Sequence, residues 1–250
     1  MPLRGAQIVR LQASALVCGS IVAGSHPCLA GNNMQFSGKD AGLERAIAAD
    51  DATAVRTAVI AGALVNARGA HGVTPLEFAI GARHKRAATE LIRHKADPNL
   101  KDAEGDSAVT LAVDAYARHP ELLSLLLDAG GDPNTRRPDG DPVMVRFLND
   151  RNLEAITYLH SRGASIDAMV NGRPMIVDAA YGTDWDVVWR LIELGARLDT
   201  PEVKAGLSEA FKVPGATLPD SPIYPYKVSV WRRLKALGLT PTPPAGMQAD

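Results

Sequence analysis

A block of sequence recurs five times along this chain at a nearly constant period. Each copy ends in Asn or Asp after a turn-forming run, and these end residues are Asn66, Asn99, Asn134, Asp167 and Asp199. Successive position numbers in this series differ by 33, 35, 33 and 32. A second marker keeps the same phase, because the glycines at 72, 105, 140 and 172 are 33, 35 and 32 apart. Two markers with one period predict a repeat array, in which each repeat buries its apolar side against its neighbours.

The residues between the markers predict two helices in each repeat. In the clearest copy, Thr74 can cap the first helix, and Pro75 fits its first turn, where the missing N–H costs nothing. The apolar pair Leu91 and Ile92 predicts the buried stripe of the second helix. Four glycines can adopt the left-handed conformation that ends this second helix, namely Gly62, Gly130, Gly163 and Gly195.

This pattern resembles the ankyrin repeat, whose motif is Gly-x-Thr-Pro-Leu-His-x-Ala, followed by two helices and Gly-Ala-Asp-x-Asn. The best copy runs from residue 72 to 99, with Glu77 in the usual His position. The resemblance covers about residues 41–240. It implies an all-α ankyrin-repeat solenoid with projecting β-turn fingers, made of about four full repeats and two caps. The implied N-terminal cap is the first copy, 41–71, the full repeats are 72–104, 105–139, 140–171 and 172–204, and the C-terminal cap is 205–240.

The predicted C-terminal cap contains an insertion. Residues 207–212 and 228–237 have helical patterns, and residues 213–226 between them contain four prolines, which predict a loop. Tyr224, Tyr226 and Trp231 cluster around this loop, which either seals the last repeat or forms a partner-specific finger. Trp185 and Trp189 lie four residues apart on a predicted helix, and we expect at least Trp189 to pack in the core or in a cap. The Pro-rich residues 241–250 predict a disordered tail.

The segment 1–30 has the pattern of a secretory signal peptide. Arg4 and Arg10 precede a mostly apolar run at 13–24, and Cys28 and Ala30 place small residues at −3 and −1 of a cut after Ala30. We therefore expect a periplasmic protein. Lipid anchoring is the alternative, although Val17 and Pro27 precede the two cysteines and make both attachment sites poor.

The sequence contains no recognisable catalytic or metal-binding motif. None of its six histidines pairs with Cys or His at zinc-ligand spacing, and it has neither a nucleophile elbow nor a P-loop. The acidic runs at 102–106 and 139–141 lack the closing Glu of a calcium loop. We therefore predict no catalytic residues, cofactor or metal, and a chain that is not an enzyme. A formal net charge of −1 and 5% aromatic residues also argue against nucleic-acid binding.

What remains is a surface that binds another protein, formed by the fingers and by the exposed side of each first helix. We expect the free protein to be a monomer. The candidate partner-binding residues are Arg68, His71, Glu77, Lys101, Glu104, Thr110, Asp114, Arg136, Arg137, Asp139, Asn149, Met169, Asn171, Asp178 and Tyr181.

A closer resemblance is to exported bacterial ankyrin-repeat proteins, specifically the immunity proteins encoded beside type VI secretion phospholipase effectors. The runs at 105–107, 120–134 and 186–193 carry this resemblance. It implies a protein that binds and neutralises a toxic lipase. The alternatives are a periplasmic scaffold linked to oxidative-stress enzymes, and a cytoplasmic or translocated ankyrin adaptor.

Overall fold

The computed structural model of the chain describes residues 36, 38, 40–213 and 218–247. The predicted signal peptide, residues 1–30, lies outside the described residues. The chain divides into two compact units, the first ending at Asp132 and the second beginning at Pro133.

The described part of the first unit contains three helical hairpins and a short 3-10 helix at Ala70–Gly72. The hairpins are α1 (Asp40–Ala48) with α2 (Ala52–Ile60), α3 (Pro75–Gly81) with α4 (Lys85–Arg93), and α5 (Ala108–Ala115) with α6 (Pro120–Asp128). The first helices α1, α3 and α5 pack in a row, and α2 packs against α4. This arrangement produces two helical layers with the apolar core between them.

The second unit begins with the hairpin α7 (Met144–Asn149) and α8 (Leu153–Ser161). A two-stranded antiparallel hairpin follows, formed by β1 (Met169–Val170) and β2 (Arg173–Pro174), and it leads into α9 (Met175–Tyr181) and α10 (Trp185–Glu193). The last helices are α11 (Pro201–Ala210), which packs on α9, and α12 (Tyr224–Ala236), which packs on α10.

Local signals begin and end these helices as the sequence predicts. The Thr74 hydroxyl accepts a hydrogen bond from the Glu77 N–H, the Glu77 carboxylate accepts one from the Thr74 N–H, and Pro75 occupies the first turn of α3. Ser107 and Thr110 form the same reciprocal capping box at α5. The glycines at 62, 130, 163 and 195 all have φ between 89° and 97°, which confirms the predicted left-handed helix ends.

The closing residues Asn66, Asn99, Asn134 and Asp167 each accept a hydrogen bond from a backbone N–H at the end of the following repeat. Asn99 Oδ1 accepts from the Asp132 N–H at 2.7 Å, and its Nδ2 donates to the Gly130 carbonyl at 3.0 Å. Asn134 makes the equivalent pair of bonds to Ser165 and Gly163. These bonds explain why the marker residue recurs, because it satisfies backbone groups at the end of the following helix.

The core differs from the sequence expectation at the two tryptophans of α10. Trp185 is fully buried, with its ring 4.6 Å from that of Phe211. Trp189 is only partly buried and donates from Nε1 to Glu193 at the surface. Trp185, and not Trp189, is therefore the core residue of this pair, since a spacing of four residues allows either ring to be the inner one.

The C-terminal helices also differ from the sequence expectation. α11 begins at Pro201, six residues before the predicted start, because Thr200 caps it by accepting from the Val203 N–H. α12 begins at Tyr224, inside the predicted 213–226 loop, since Pro225 is tolerated in a first turn. Trp231 on this helix is buried.

The segment 241–247 lies along α12, although the sequence predicts a disordered tail for residues 241–250. Trp231 Nε1 donates to the Pro241 carbonyl at 3.0 Å, and the Tyr224 hydroxyl donates to the Ala245 carbonyl. No helix among the described residues has the length and apolar content needed to cross a membrane.

Candidate functional site

Four short turns project before the first helices and form the fingers. Finger 1 (68–73) and finger 2 (101–107) belong to the first unit, and finger 3 (136–142) and finger 4 (169–174) to the second. Fingers 1 to 3 share one backbone hydrogen bond of 2.9 Å, in which an N–H donates to the carbonyl four residues later. The pairs are Gly69 to Val73, Asp102 to Asp106 and Arg137 to Asp141. The marker glycines have φ from 75° to 92°, a backbone conformation that favours glycine.

Arginine side chains brace two of these fingers. Arg68 Nη1 donates to the carbonyl of Gly72 at 2.8 Å and also to the carbonyl of Lys101. Arg136 Nη1 donates to the Gly140 carbonyl at 2.6 Å. The sequence predicts both arginines as partner-binding residues, and both are exposed. Their guanidinium groups, however, are hydrogen-bonded to the backbone of the fingers. These hydrogen bonds restrain the backbone of the fingers.

The fingers lie side by side within each unit. In the first unit, Ala103 donates its N–H to the His71 carbonyl at 2.8 Å, and a Cβ on Gly72 would lie 3.3 Å from that nitrogen. The exposed candidates here are His71, Lys101 and Glu104. Asp114 is exposed at the end of α5.

In the second unit, finger 3 carries exposed Arg136 and Asp139 and half-buried Arg137, and finger 4 carries exposed Met169 and Asn171. Asn149 and Tyr181, at the ends of α7 and α9, are also exposed. Burial and the charge of Asp139 raise the pKa of the Asp141 carboxyl.

The structure places three candidate residues inside the protein. Glu77 is 1% exposed, Thr110 is fully buried, and Asp178 is 8% exposed. Glu77 and Thr110 occupy the third position of their helices, where their side chains turn back to cap the helix instead of facing a groove. The expectation that these three residues face a partner was therefore wrong.

Glu77 is also electrostatically unusual. Its Oε2 accepts from the Thr74 N–H, but its buried Oε1 has no hydrogen-bond partner among the described residues. Burial raises the pKa of this carboxyl to about 7, and the charge of Asp102 acts in the same direction. Hydrogen bonds from Thr74 and the charge of Arg68 oppose the rise.

A pocket of about 450 Å³ opens in the second unit beside finger 4. It is bounded by Met169 and Arg173 of the finger, by Val177 and Tyr181 of α9, and by Glu202 and Gly206 of α11. The sequence predicted Met169 and Tyr181 as binding residues but missed Arg173 and Glu202. Arg173 directly follows the marker Gly172, a position that could have been included with the finger.

The part of the chain that the structure describes contains no cluster of three or more His, Cys, Asp or Glu side chains able to hold a metal ion.

A family model for ankyrin repeats matches residues 43–137, in three copies. Residues 43–137 of this chain are therefore similar to ankyrin repeats. The match begins within α1 and ends at residue 137 in finger 3. Ankyrin repeats indicate a protein-binding module and are typically non-enzymatic. The second unit also contains fingers and helical hairpins, and its closing residues Asn134 and Asp167 accept backbone hydrogen bonds. The total number of full repeats stays a prediction.

Two relatives of known name align with part of the chain. One is the putative palmitoyltransferase ZDHHC13 of Danio rerio, 30% identical over 129 residues, which are 50% of this chain and 20% of the relative. The other is the E3 ubiquitin-protein ligase KEG of Arabidopsis thaliana, 32% identical over 144 residues, which are 57% of this chain and 9% of the relative. Because the chain spans a fifth or less of either relative, the alignments concern the ankyrin region alone.

Proposed function

We propose that the chain is a protein-binding module whose partner contacts the fingers and the neighbouring ends of the first helices. The observation that carries this proposal is the bracing of the fingers. Arg68 and Arg136 fix the finger backbone through carbonyl bonds, while neighbouring side chains such as His71, Glu104 and Asp139 remain exposed. A surface held rigid before binding loses little conformational entropy when a partner arrives.

We propose further that the partner is a lipase or phospholipase effector delivered by type VI secretion, and that the chain is its periplasmic immunity protein. The support for this is the sequence resemblance in the runs 105–107, 120–134 and 186–193, together with the signal-peptide pattern of segment 1–30. Inhibition would be stoichiometric: the bound chain covers an effector surface, and no bond is made or broken.

The test is co-purification of the full-length chain, carrying a C-terminal tag, from fractionated cells of the bacterium that makes it. We expect the tagged chain in the periplasmic fraction, with one lipase at near-equal stoichiometry. Added to that purified lipase, the chain should abolish hydrolysis of phospholipid vesicles at one equivalent. A redox enzyme as the sole stoichiometric partner, or a lipase that stays active when bound, would contradict the immunity proposal.

A finger variant and a matched surface control locate the contact. The finger variant combines His71→Ala with Glu104→Ala, two exposed side chains at neighbouring finger tips. The control is Arg86→Ala, an exposed residue on α4, in the second-helix layer of the same unit. We expect weaker lipase binding from the finger variant and unchanged binding from the control. Equal binding by both variants would remove these finger tips from the contact surface.

A further inference from the structure

Two large apolar side chains are exposed at the pocket beside finger 4. Met169 is 46% exposed and Tyr181 is 40% exposed, and both line the same cavity. Val177 and Pro174 add further apolar surface to the lining. An apolar hollow of about 450 Å³ is large enough for one aliphatic or aromatic side chain of another protein.

The pocket is formed by close packing of its helices. A Cβ on Gly206 of α11 would lie 2.4 Å from Cγ1 of Val177 on α9, so the two helices approach each other as closely as a glycine allows. Finger 4 closes another side, because its two strands both contact α9, and β2 also contacts α11. All of these elements belong to the second unit and need no rearrangement to open the cavity.

Two side chains of opposite charge, Arg173 and Glu202, line the pocket from different elements. The guanidinium of Arg173, on β2, lies over the Tyr181 ring at 5.0 Å from its centre. Glu202 lies in the first turn of α11. Within the described residues, neither side chain forms an ion pair, although both line the cavity. A stacked guanidinium keeps its N–H donors in the plane of the group, available to a carboxylate.

We propose that this pocket binds an extended segment of the partner protein that inserts one apolar side chain between Met169 and Tyr181. An acidic residue of that segment pairs with Arg173, and a basic residue on its other side pairs with Glu202. The two charges favour a segment of this kind, because an uncharged apolar segment would leave Arg173 and Glu202 unpaired beside a surface from which water is excluded. The inference rests on the proposed protein-binding function, but not on the identity of the partner.

The experiment selects short random peptides displayed on phage against the immobilised full chain. We expect enrichment of peptides in which an apolar residue lies between an acidic and a basic residue. The affinity of one selected peptide is then measured by fluorescence anisotropy. Tyr181→Ala should weaken binding about 30-fold, as expected for a central aromatic contact, and Arg173→Glu about tenfold.

A charge exchange makes the test specific. Replacing the acidic residue of the peptide with Lys should restore binding to Arg173→Glu while weakening binding to the unaltered chain. The matched control is Arg232→Glu, an exposed arginine on α12 outside the pocket, which should leave the affinity unchanged. Thermal melts followed by circular dichroism verify that all variants fold.

Peptides that bind equally well to the unaltered chain, Tyr181→Ala and Arg173→Glu would overturn the pocket proposal, as would a selection without the predicted charge pattern. The protein-binding function is judged separately, by co-purification of the unaltered chain with its partner. If pocket variants retain the partner and the finger variant loses it, the function stands and the pocket assignment is wrong.

Discussion

The substitution Glu77→Gln tests whether one buried carboxyl makes the first unit less stable as the pH rises. The pKa of Glu77 rises from its ordinary value of 4.5 to about 7, chiefly because burial disfavours the charged form. At about 1.4 kcal/mol for each pKa unit, the ionised carboxylate costs the folded state about 3 kcal/mol. The side chain is 1% exposed, so solvent screens little of this cost.

The sign follows from proton linkage. Between pH 4.5 and pH 7 the folded state binds more protons at Glu77 than the unfolded state does, so stability falls as the pH rises through this range. The contribution of the protonated carboxyl is complete below pH 4.5 and lost above pH 7. Gln carries no charge, and its amide oxygen can still accept from the Thr74 N–H, so the capping box remains.

We therefore expect the stability of Glu77→Gln relative to the unaltered chain to increase by about 2–3 kcal/mol from pH 5 to pH 8. The measurement is urea unfolding at several pH values, followed by circular dichroism at 222 nm. Tryptophan fluorescence would not report on this unit, because the three tryptophans, at 185, 189 and 231, all lie in the second unit.

The matched control is Glu154→Gln, which removes an exposed carboxylate. We expect its stability to follow that of the unaltered chain at every pH. Other titrating groups contribute equally to both chains and cancel in the difference. If the Glu77→Gln and unaltered curves run parallel from pH 5 to pH 8, the assignment of a raised pKa to Glu77 is wrong.

Three further predictions concern packing, repeat-to-repeat bonding and the ion pairs that the buried Glu90 makes with the exposed Arg56 and Arg93. Gly206→Ala should destabilise the chain by about 1–3 kcal/mol, because the added Cβ would overlap Val177. Gly42→Ala, whose added Cβ would meet nothing within 4 Å, should stabilise the chain by about 0.5–1 kcal/mol. Urea unfolding measures both changes. Asn99→Ala should cost about 2 kcal/mol through the loss of two hydrogen bonds, and Asn99→Asp, which keeps the acceptor, should cost less in the same assay. Hydrogen bonds from Arg56 and Arg93 lower the pKa of Glu90 to about 2. Glu90→Gln should therefore reduce the melting temperature at pH 7, and this difference should vanish as the pH falls to 2. Equal differences in melting temperature at both pH values would refute the ion-pair assignment.

Sequence reasoning succeeded where the signal is local. Thr74, Pro75 and the glycines at 62, 130, 163 and 195 act within one helical turn, and the structure places them in the predicted roles. The same reasoning failed for Glu77 and Thr110. A polar residue on a short helix can face solvent or turn back to cap that helix, and the sequence pattern of the repeat does not distinguish the two.

The sequence by itself determined the repeat period, the pairing of helices, the cap that begins α3, the glycines that end four of the second helices, and the similarity of residues 43–137 to ankyrin repeats. Only the tertiary structure decided which tryptophan of α10 is buried, how segment 241–247 packs on α12, and that Arg173 and Glu202 share a pocket. The reason is the range of the interactions. Caps and left-handed turns depend on neighbours a few residues away, whereas a pocket depends on contacts between elements that the chain brings together only when it folds.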